Sequence, residues 1–132
     1  MAGLINPEAM IDTILSVPYA DGMGELSGAD CWGIVELWYR HVLGIDLSDR
    51  SEHPAGHDGM QAGYDAAQDW QQIETPENNC LVIMRAGRLN AGHVGVFYGG
   101  SVLHSDEKHG CVYEPISKPM IRVKTTCYLR HK

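Results

Sequence analysis

His93-Val94-Gly95-Val96-Phe97-Tyr98-Gly99-Gly100-Ser101-Val102-Leu103-His104 reads as two strands joined by a two-residue Gly-Gly loop, the length and composition a primed β-turn needs. Placing Tyr98 opposite Ser101 predicts the register: Phe97 faces Val102, Val96 faces Leu103, Gly95 faces His104 and His93 faces Asp106. Side chains alternate along a strand, so His93 and His104 fall on one face as diagonal neighbours, about 7–8 Å apart at the backbone. Gly95 has no side chain, which leaves the imidazole of His104 room to lean toward His93. Two imidazoles so placed suit a general base and a second group that fixes its tautomer. Asp106, directly across from His93, is a competing candidate for the orienting role. Two surface histidines, or a zinc site completed by Cys31, are the other readings of the same pattern.

A nucleophile is found by moving N-terminally. Asp30-Cys31-Trp32-Gly33 stands where a glycine-containing loop, Pro18 to Asp30, runs into apolar residues Ile34, Val35, Leu37, Trp38 and Val42 at helical spacing, with Gly44 as the stop. Cys31 is thereby predicted in the first turn of a helix, among backbone N–H groups without intrahelical partners. Such a position, with an imidazolium nearby, lowers a thiol from about 8.5 to roughly 3.5–7.5, and the thiolate is the form that attacks carbonyls. Gly33 is expected to let the sheet approach this helix closely. The bland reading of Cys31 is a small buried hydrophobe. Cys80, Cys111 and Cys127 lie inside apolar, strand-like runs, where packing explains them.

Outward from these two segments, Asn6-Pro7-Glu8 supplies a cap, a first-turn proline and an acid ahead of Met10, Ile11, Ile14 and Leu15, predicting a first helix to about Val17. Asp46 to Gly63 is polar and rich in breakers and reads as an irregular excursion, with a short helix around Tyr64 to Ile73 after it. Cys80 to Arg85, Cys111 to Glu114 and Ile121 to Leu129 read as further strands. Helices first and an antiparallel sheet second is an α+β order. The reading is N-terminal helices packed on a central antiparallel β-sheet, with the nucleophile at a helix N-terminus. His41, His53, His57, His109 and His131 read as solvated.

The composition narrows the function classes. A chain of 132 residues has the length of one domain, 1–132, and its 44% hydrophobic and 20% charged content is that of an ordinary globular protein. A net charge of -7, with scattered Lys and Arg, argues against a nucleic-acid footprint. The N-terminal segment has neither a basic n-region nor an apolar h-region, and no stretch approaches bilayer-spanning length, so synthesis in the cytoplasm without an export signal or membrane span is the expectation. Four scattered cysteines without a C-x-x-C pair predict free thiols rather than disulfides or a structural metal site.

The order of Asp30-Cys31-Trp32-Gly33, then His93-Val94-Gly95-Val96, then Val102-Leu103-His104 resembles the NlpC family of cell-wall peptidases, compact papain-like domains, over roughly Tyr19 to Glu114. The resemblance implies a Cys-His-His triad at Cys31, His93 and His104. It also implies an oxyanion-hole tyrosine, matched by Tyr19 of Pro18-Tyr19, twelve positions before the nucleophile. No metal or organic cofactor is implied. The implied substrate is the peptide stem of peptidoglycan, commonly at the bond from D-glutamate to a diamino acid.

Three features depart from the common pattern. Trp32 replaces a frequent serine, Cys80 stands where an aspartate often precedes the first strand, and the loop after Tyr19 lacks Gly-Gly. Tryptophan after the nucleophile is similar to the branch in phage and prophage tail-tip proteins and gene-transfer particles. That likeness implies a virion tail component working in the host cell wall or periplasm, with other tail-tip or particle proteins as partners. The alternatives are a catalytically silent tail-tip protein that keeps the fold for docking, and an amidase toxin delivered to rival bacteria.

Overall fold

The computed structural model describes residues 4–47, 70–86 and 89–131. Most of the polar excursion, with His53 and His57, and the start of the helix read from Tyr64 fall outside these residues.

Helix α1 (Pro7–Ile14) begins as its sequence requires: the Asn6 side chain accepts from the amides of Glu8 and Ala9, at 2.9 and 3.3 Å. Met10, Ile11 and Ile14 form its buried face. It stops short of Val17 because the amides of Ser16 and Val17 turn back to the carbonyls of Thr13 and Ile14, a tighter winding than α. The following loop contains a small hairpin that the sequence did not predict, β1 (Gly24–Glu25) paired with β2 (Gly28–Ala29). Helix α2 (Cys31–Trp38) is buried along its whole length. It continues as one π-helical turn, Tyr39–Leu43, and ends at Gly44 in the left-handed conformation, φ +71°, where a glycine carries no steric penalty.

Among the described residues the main sheet is antiparallel throughout, with six strands in the order β3-β8-β4-β5-β6-β7. The strands are β3 (Trp70–Ile73), β4 (Leu81–Ala86), β5 (Leu89–Tyr98), β6 (Ser101–Asp106), β7 (Gly110–Pro115) and β8 (Thr125–His131). The β5–β6 hairpin has the register read from the Gly-Gly turn: Val96 pairs with Leu103, Phe97 with Val102 and Tyr98 with Ser101. Gly99 and Gly100 both have positive φ, as a type I′ turn demands. Leu81, Ile83, Val94, Val96 and Leu103 join the helices in one core, while Val82, Met84, Phe97 and Val102 form a second cluster with Ile121. This is the α+β architecture expected from the order of elements.

Two elements differ from the sequence reading. Trp70–Ile73 is an edge strand on β8 and not the end of a helix; Trp70 is held by ring contacts to His131, Tyr39 and Trp32 that no local pattern announces. His131 is therefore packed against aromatic rings instead of solvated. Ile121 to Leu129 is not one strand: helix α3 (Pro119–Lys124) precedes β8, and the Thr125 hydroxyl donates to the carbonyl of Ile121 at its end. Pro119 at the first helical position is the start signal, outweighed in the sequence by β-branched Ile121 and Val123.

Candidate active site

The start of α2 is fixed by Asp30. One carboxylate oxygen accepts from the amide of Gly33 at 2.7 Å as an N-cap, and the other accepts from the amide of Gly22 at 2.9 Å, tying the preceding turn to the helix. Cys31 follows directly and is buried, with 9% of its surface exposed. Tyr19 is placed by its neighbours: the carbonyl of Pro18 accepts from the amide of Ala29 at 2.9 Å, and the amide of Ala20 donates to the carbonyl of Ala29 at 3.2 Å. Its hydroxyl lies within the electrostatic reach of Cys31. Burial first, then the negative charges of Asp21 and Asp30 and the sulfur of Cys31, push the phenol up to about 12.

Gly33 has a different role from the one expected. A Cβ there would sit 2.0 Å from the carbonyl oxygen of Met23 and 3.0 Å from the Ala29 methyl, so the glycine admits the β1–β2 hairpin, not the main sheet. The helix also packs against β5 and β6. At the end of β6, the Ser105 hydroxyl donates to the carbonyl of Ala29 at 3.3 Å. That bond joins the residue after His104 to the segment entering α2.

His93 and His104 do meet. His93 Nε2 lies 2.8 Å from His104 Nδ1, with ring centroids 5.0 Å apart and planes at 81°. Gly95 makes this possible, since a Cβ there would lie 3.0 Å from the Cβ of His104 and 2.9 Å from the carbonyl oxygen of Leu103. His104 is 7% exposed, and burial lowers its pKa below the ordinary 6.5 despite the nearby carboxylates of Glu114 and Asp106. It is neutral at neutral pH, so the single proton between the two rings can be donated by His93.

Asp106, the competing orienting group, is engaged elsewhere. Its carboxylate accepts from the backbone amide of His109 at 2.8 Å and pairs with the His109 ring at 3.1 Å; burial would raise it, but these contacts together outweigh burial and hold it below the usual carboxylate range. His109 thus has a partner, although its side chain stays exposed. The sequence reading missed three contributors: Asp30 as cap, Ser105 as tie, and Glu114, whose carboxylate stands 3.8 Å from His104 Nε2. The Asp-Cys pair at a helix start was the available signal for the first; the other two depend on β6–β7 register and on the approach of the loop before α2.

Burial raises the thiols of Cys80 and Cys111 to about 11 and about 12. All four cysteines are thiols. Among the described residues no group of three His, Cys, Asp or Glu could hold a metal ion, and no helix is long and apolar enough to cross a membrane.

A buried helix bearing a cysteine at its first position, packed on an antiparallel sheet that presents paired histidines, defines the papain-like class of α+β folds. Residues 16–130 match the NlpC/P60 family, and the chain belongs to that family. No curated protein matches it. Among solved structures it is similar to the NlpC/p60 domain of the peptidoglycan hydrolase SagA, with 17% identity and a TM-score of 0.63 over 96% of this chain and 99% of that one. An NLP/P60-family protein similar to lipoprotein from Staphylococcus aureus subsp. aureus Mu50 gives 19% identity and a TM-score of 0.62, over 97% of this chain but 43% of the other. The peptidoglycan hydrolase RipB from Mycobacterium tuberculosis gives 19% identity and a TM-score of 0.55, covering 96% and 66%. At these identities the likeness establishes the shared fold.

Proposed function

We propose that the protein is a cysteine endopeptidase that cuts peptidoglycan stem peptides, with Cys31 as nucleophile, His93 as general base and acid, His104 orienting His93, and Tyr19 in the oxyanion hole. The observation that carries this reading is the 2.8 Å contact between His93 Nε2 and His104 Nδ1. With Nε2 engaged there, Nδ1 is the nitrogen through which His93 serves the thiol, and the Ser105–Ala29 bond holds the segment leading to Cys31 at the same end of β6.

The Cys31 sulfur, its proton passed to His93, bonds to the stem-peptide carbonyl carbon, and the carbonyl oxygen takes up negative charge. Tyr19 retains its proton at working pH because its pKa is raised to about 12, so its hydroxyl can donate to that oxygen beside the Cys31 amide. The intermediate collapses with cleavage of the C–N bond as His93 protonates the amine. Water, deprotonated by His93, then attacks the thioester, the C–S bond breaks, and the sulfur recovers the proton equivalent shared with His93.

Support for the substrate class comes from family membership and from the peptidoglycan hydrolases that share the fold. The bond from D-glutamate to the diamino acid belongs to the same proposal. So does delivery by a phage tail or related particle, which rests on Trp32 beside the nucleophile. Mass analysis of defined muropeptides after digestion tests it. A product pair split after D-glutamate is expected, and both Cys31→Ala and His93→Ala should fall by about 10²-fold or more with an unchanged fold. Full activity in either variant would overturn the assignment of Cys31 and His93, and no product from any muropeptide with the intact protein would overturn the reading in favour of a silent docking domain.

A further inference from the structure

The histidine pair imposes a proton count that reaches one residue further. When His93 carries two protons, its Nε2–H must point at a bare Nδ1 on His104, 2.8 Å away. A neutral imidazole has one proton, so His104 must then hold it on Nε2. That atom is sealed from water and has no hydrogen-bond partner within reach. The nearest carboxylate oxygen is Glu114 Oε2 at 3.8 Å, an ion-pair distance but longer than a hydrogen bond.

The sheet makes this proximity systematic. His104 pairs with Val112 and Val102 with Glu114, so Glu114 is the diagonal neighbour of His104 on one face of β6 and β7. The other oxygen, Oε1, is taken by Lys118 Nζ at 3.2 Å, and the amide of Lys118 is fixed by a turn onto the carbonyl of Pro115 at 3.0 Å. The carboxylate is thus held at one oxygen and presents the other to the buried ring. With 24% of its side chain exposed, it keeps the freedom to move the roughly 1 Å that a hydrogen bond needs.

We propose that Glu114 is a positioning residue of the catalytic site: its carboxylate takes the Nε2–H of His104 and so locks His104 in the tautomer that accepts from His93. The proposal rests on the peptidase reading for its rate prediction, though not for its structural one. Removal of the carboxylate leaves a buried N–H without an acceptor, and the ring then escapes to the opposite tautomer, in which two N–H groups confront each other across 2.8 Å whenever His93 is charged. Besides Glu114, the groups that act on His104 are Asp106, which favours its charged form, Lys124 of α3, which disfavours it, and His93 itself.

Two measurements on the full chain test this. Long-range 1H–15N spectra of the histidine-labelled protein read the ring tautomers directly. The intact protein and Glu114→Gln, which keeps an acceptor, should show His104 protonated on Nε2. Glu114→Ala should show it mixed or moved to Nδ1, and Lys118→Ala, which leaves the carboxylate in place, should match the intact protein. In parallel, kcat on muropeptides should fall roughly tenfold to a hundredfold in Glu114→Ala with KM little changed, and recover in part in Glu114→Gln. The acidic limb of the pH profile for Cys31 alkylation should move in Glu114→Ala, because the positive charge on His93 loses support.

An Nδ1–H tautomer in the intact protein, or an unaltered tautomer in Glu114→Ala, overturns the proposal. If no muropeptide is cut but the tautomers behave as described, the substrate reading fails and the role of Glu114 stands.

Discussion

Burial acts on the two ends of the site in opposite chemical directions. It raises Tyr19 to about 12, keeping a donor protonated, and lowers His104, keeping an acceptor unprotonated. Tyr19→Phe removes the donor while preserving the ring, and should lower kcat by about 10- to 10³-fold with a small effect on KM, since the charge on the carbonyl oxygen exists only beyond the ground state. Steady-state kinetics on a muropeptide separate the two parameters. The shift at His104 also enters stability. Its folded pKa lies below the ordinary 6.5, so the contribution is fully present above 6.5 and is lost as pH falls through the folded value, where the unfolded chain binds a proton the native ring resists. Thermal melts should therefore show Tm falling as pH is lowered below about 6.5, with a shallower slope in His104→Gln. An equal slope in the variant would assign the effect to other histidines.

At the scale of elements, two glycines decide how closely the pieces of the site approach. Gly33 faces the Met23 carbonyl on the β1–β2 hairpin, and Gly95 faces His104 and Val102 across the β5–β6 ladder. Gly95→Ala would bring a methyl to 2.5 Å from Val102 Cγ1 and 3.0 Å from His104 Cβ. Strand β6 must then shift, so the histidine contact should lengthen and turnover drop by more than tenfold, for a stability loss of about 1–3 kcal/mol. Urea melts and activity measured side by side test this; a variant as active as the parent would mean that the hairpin tolerates the methyl. The hairpin register was legible in the sequence because a Gly-Gly turn admits few pairings and the histidines lie close to it. The role of Gly33 was not, because the residue it accommodates lies ten positions earlier on a hairpin with no alternating pattern. Likewise Cys31 could be set at a helix start from the glycine-containing loop before it and the apolar spacing behind it. Trp70, whose strand exists through pairing with β8, and Glu114, whose relevance exists through β7 register, carry no local signature.

Over the whole molecule, the sheet separates two apolar clusters: α1 and α2 share one with Leu81, Val96 and Leu103, and α3 contributes Ile121 to the other. Apart from Cys31, which lies in the first cluster, each cluster contains one further buried thiol, Cys111 in the first and Cys80 in the second, raised by burial to about 12 and about 11. At neutral pH neither is a competent nucleophile in the native state, whereas Cys31 stands at a helix start beside Tyr19. Brief treatment with iodoacetamide followed by peptide mass mapping should label Cys31 well ahead of Cys80 and Cys111. The two buried thiols then report on how the halves come apart. Strands β4, β5 and β6 contribute side chains to both clusters by alternation, so neither face can melt without removing the backbone frame of the other. Pulse labelling across a urea series should therefore unmask Cys80 and Cys111 at one common midpoint, coincident with the loss of tryptophan fluorescence from the Trp32–Trp70 contact. Separate midpoints would show that the α3 face opens independently, and would refute the reading of the chain as one cooperative domain.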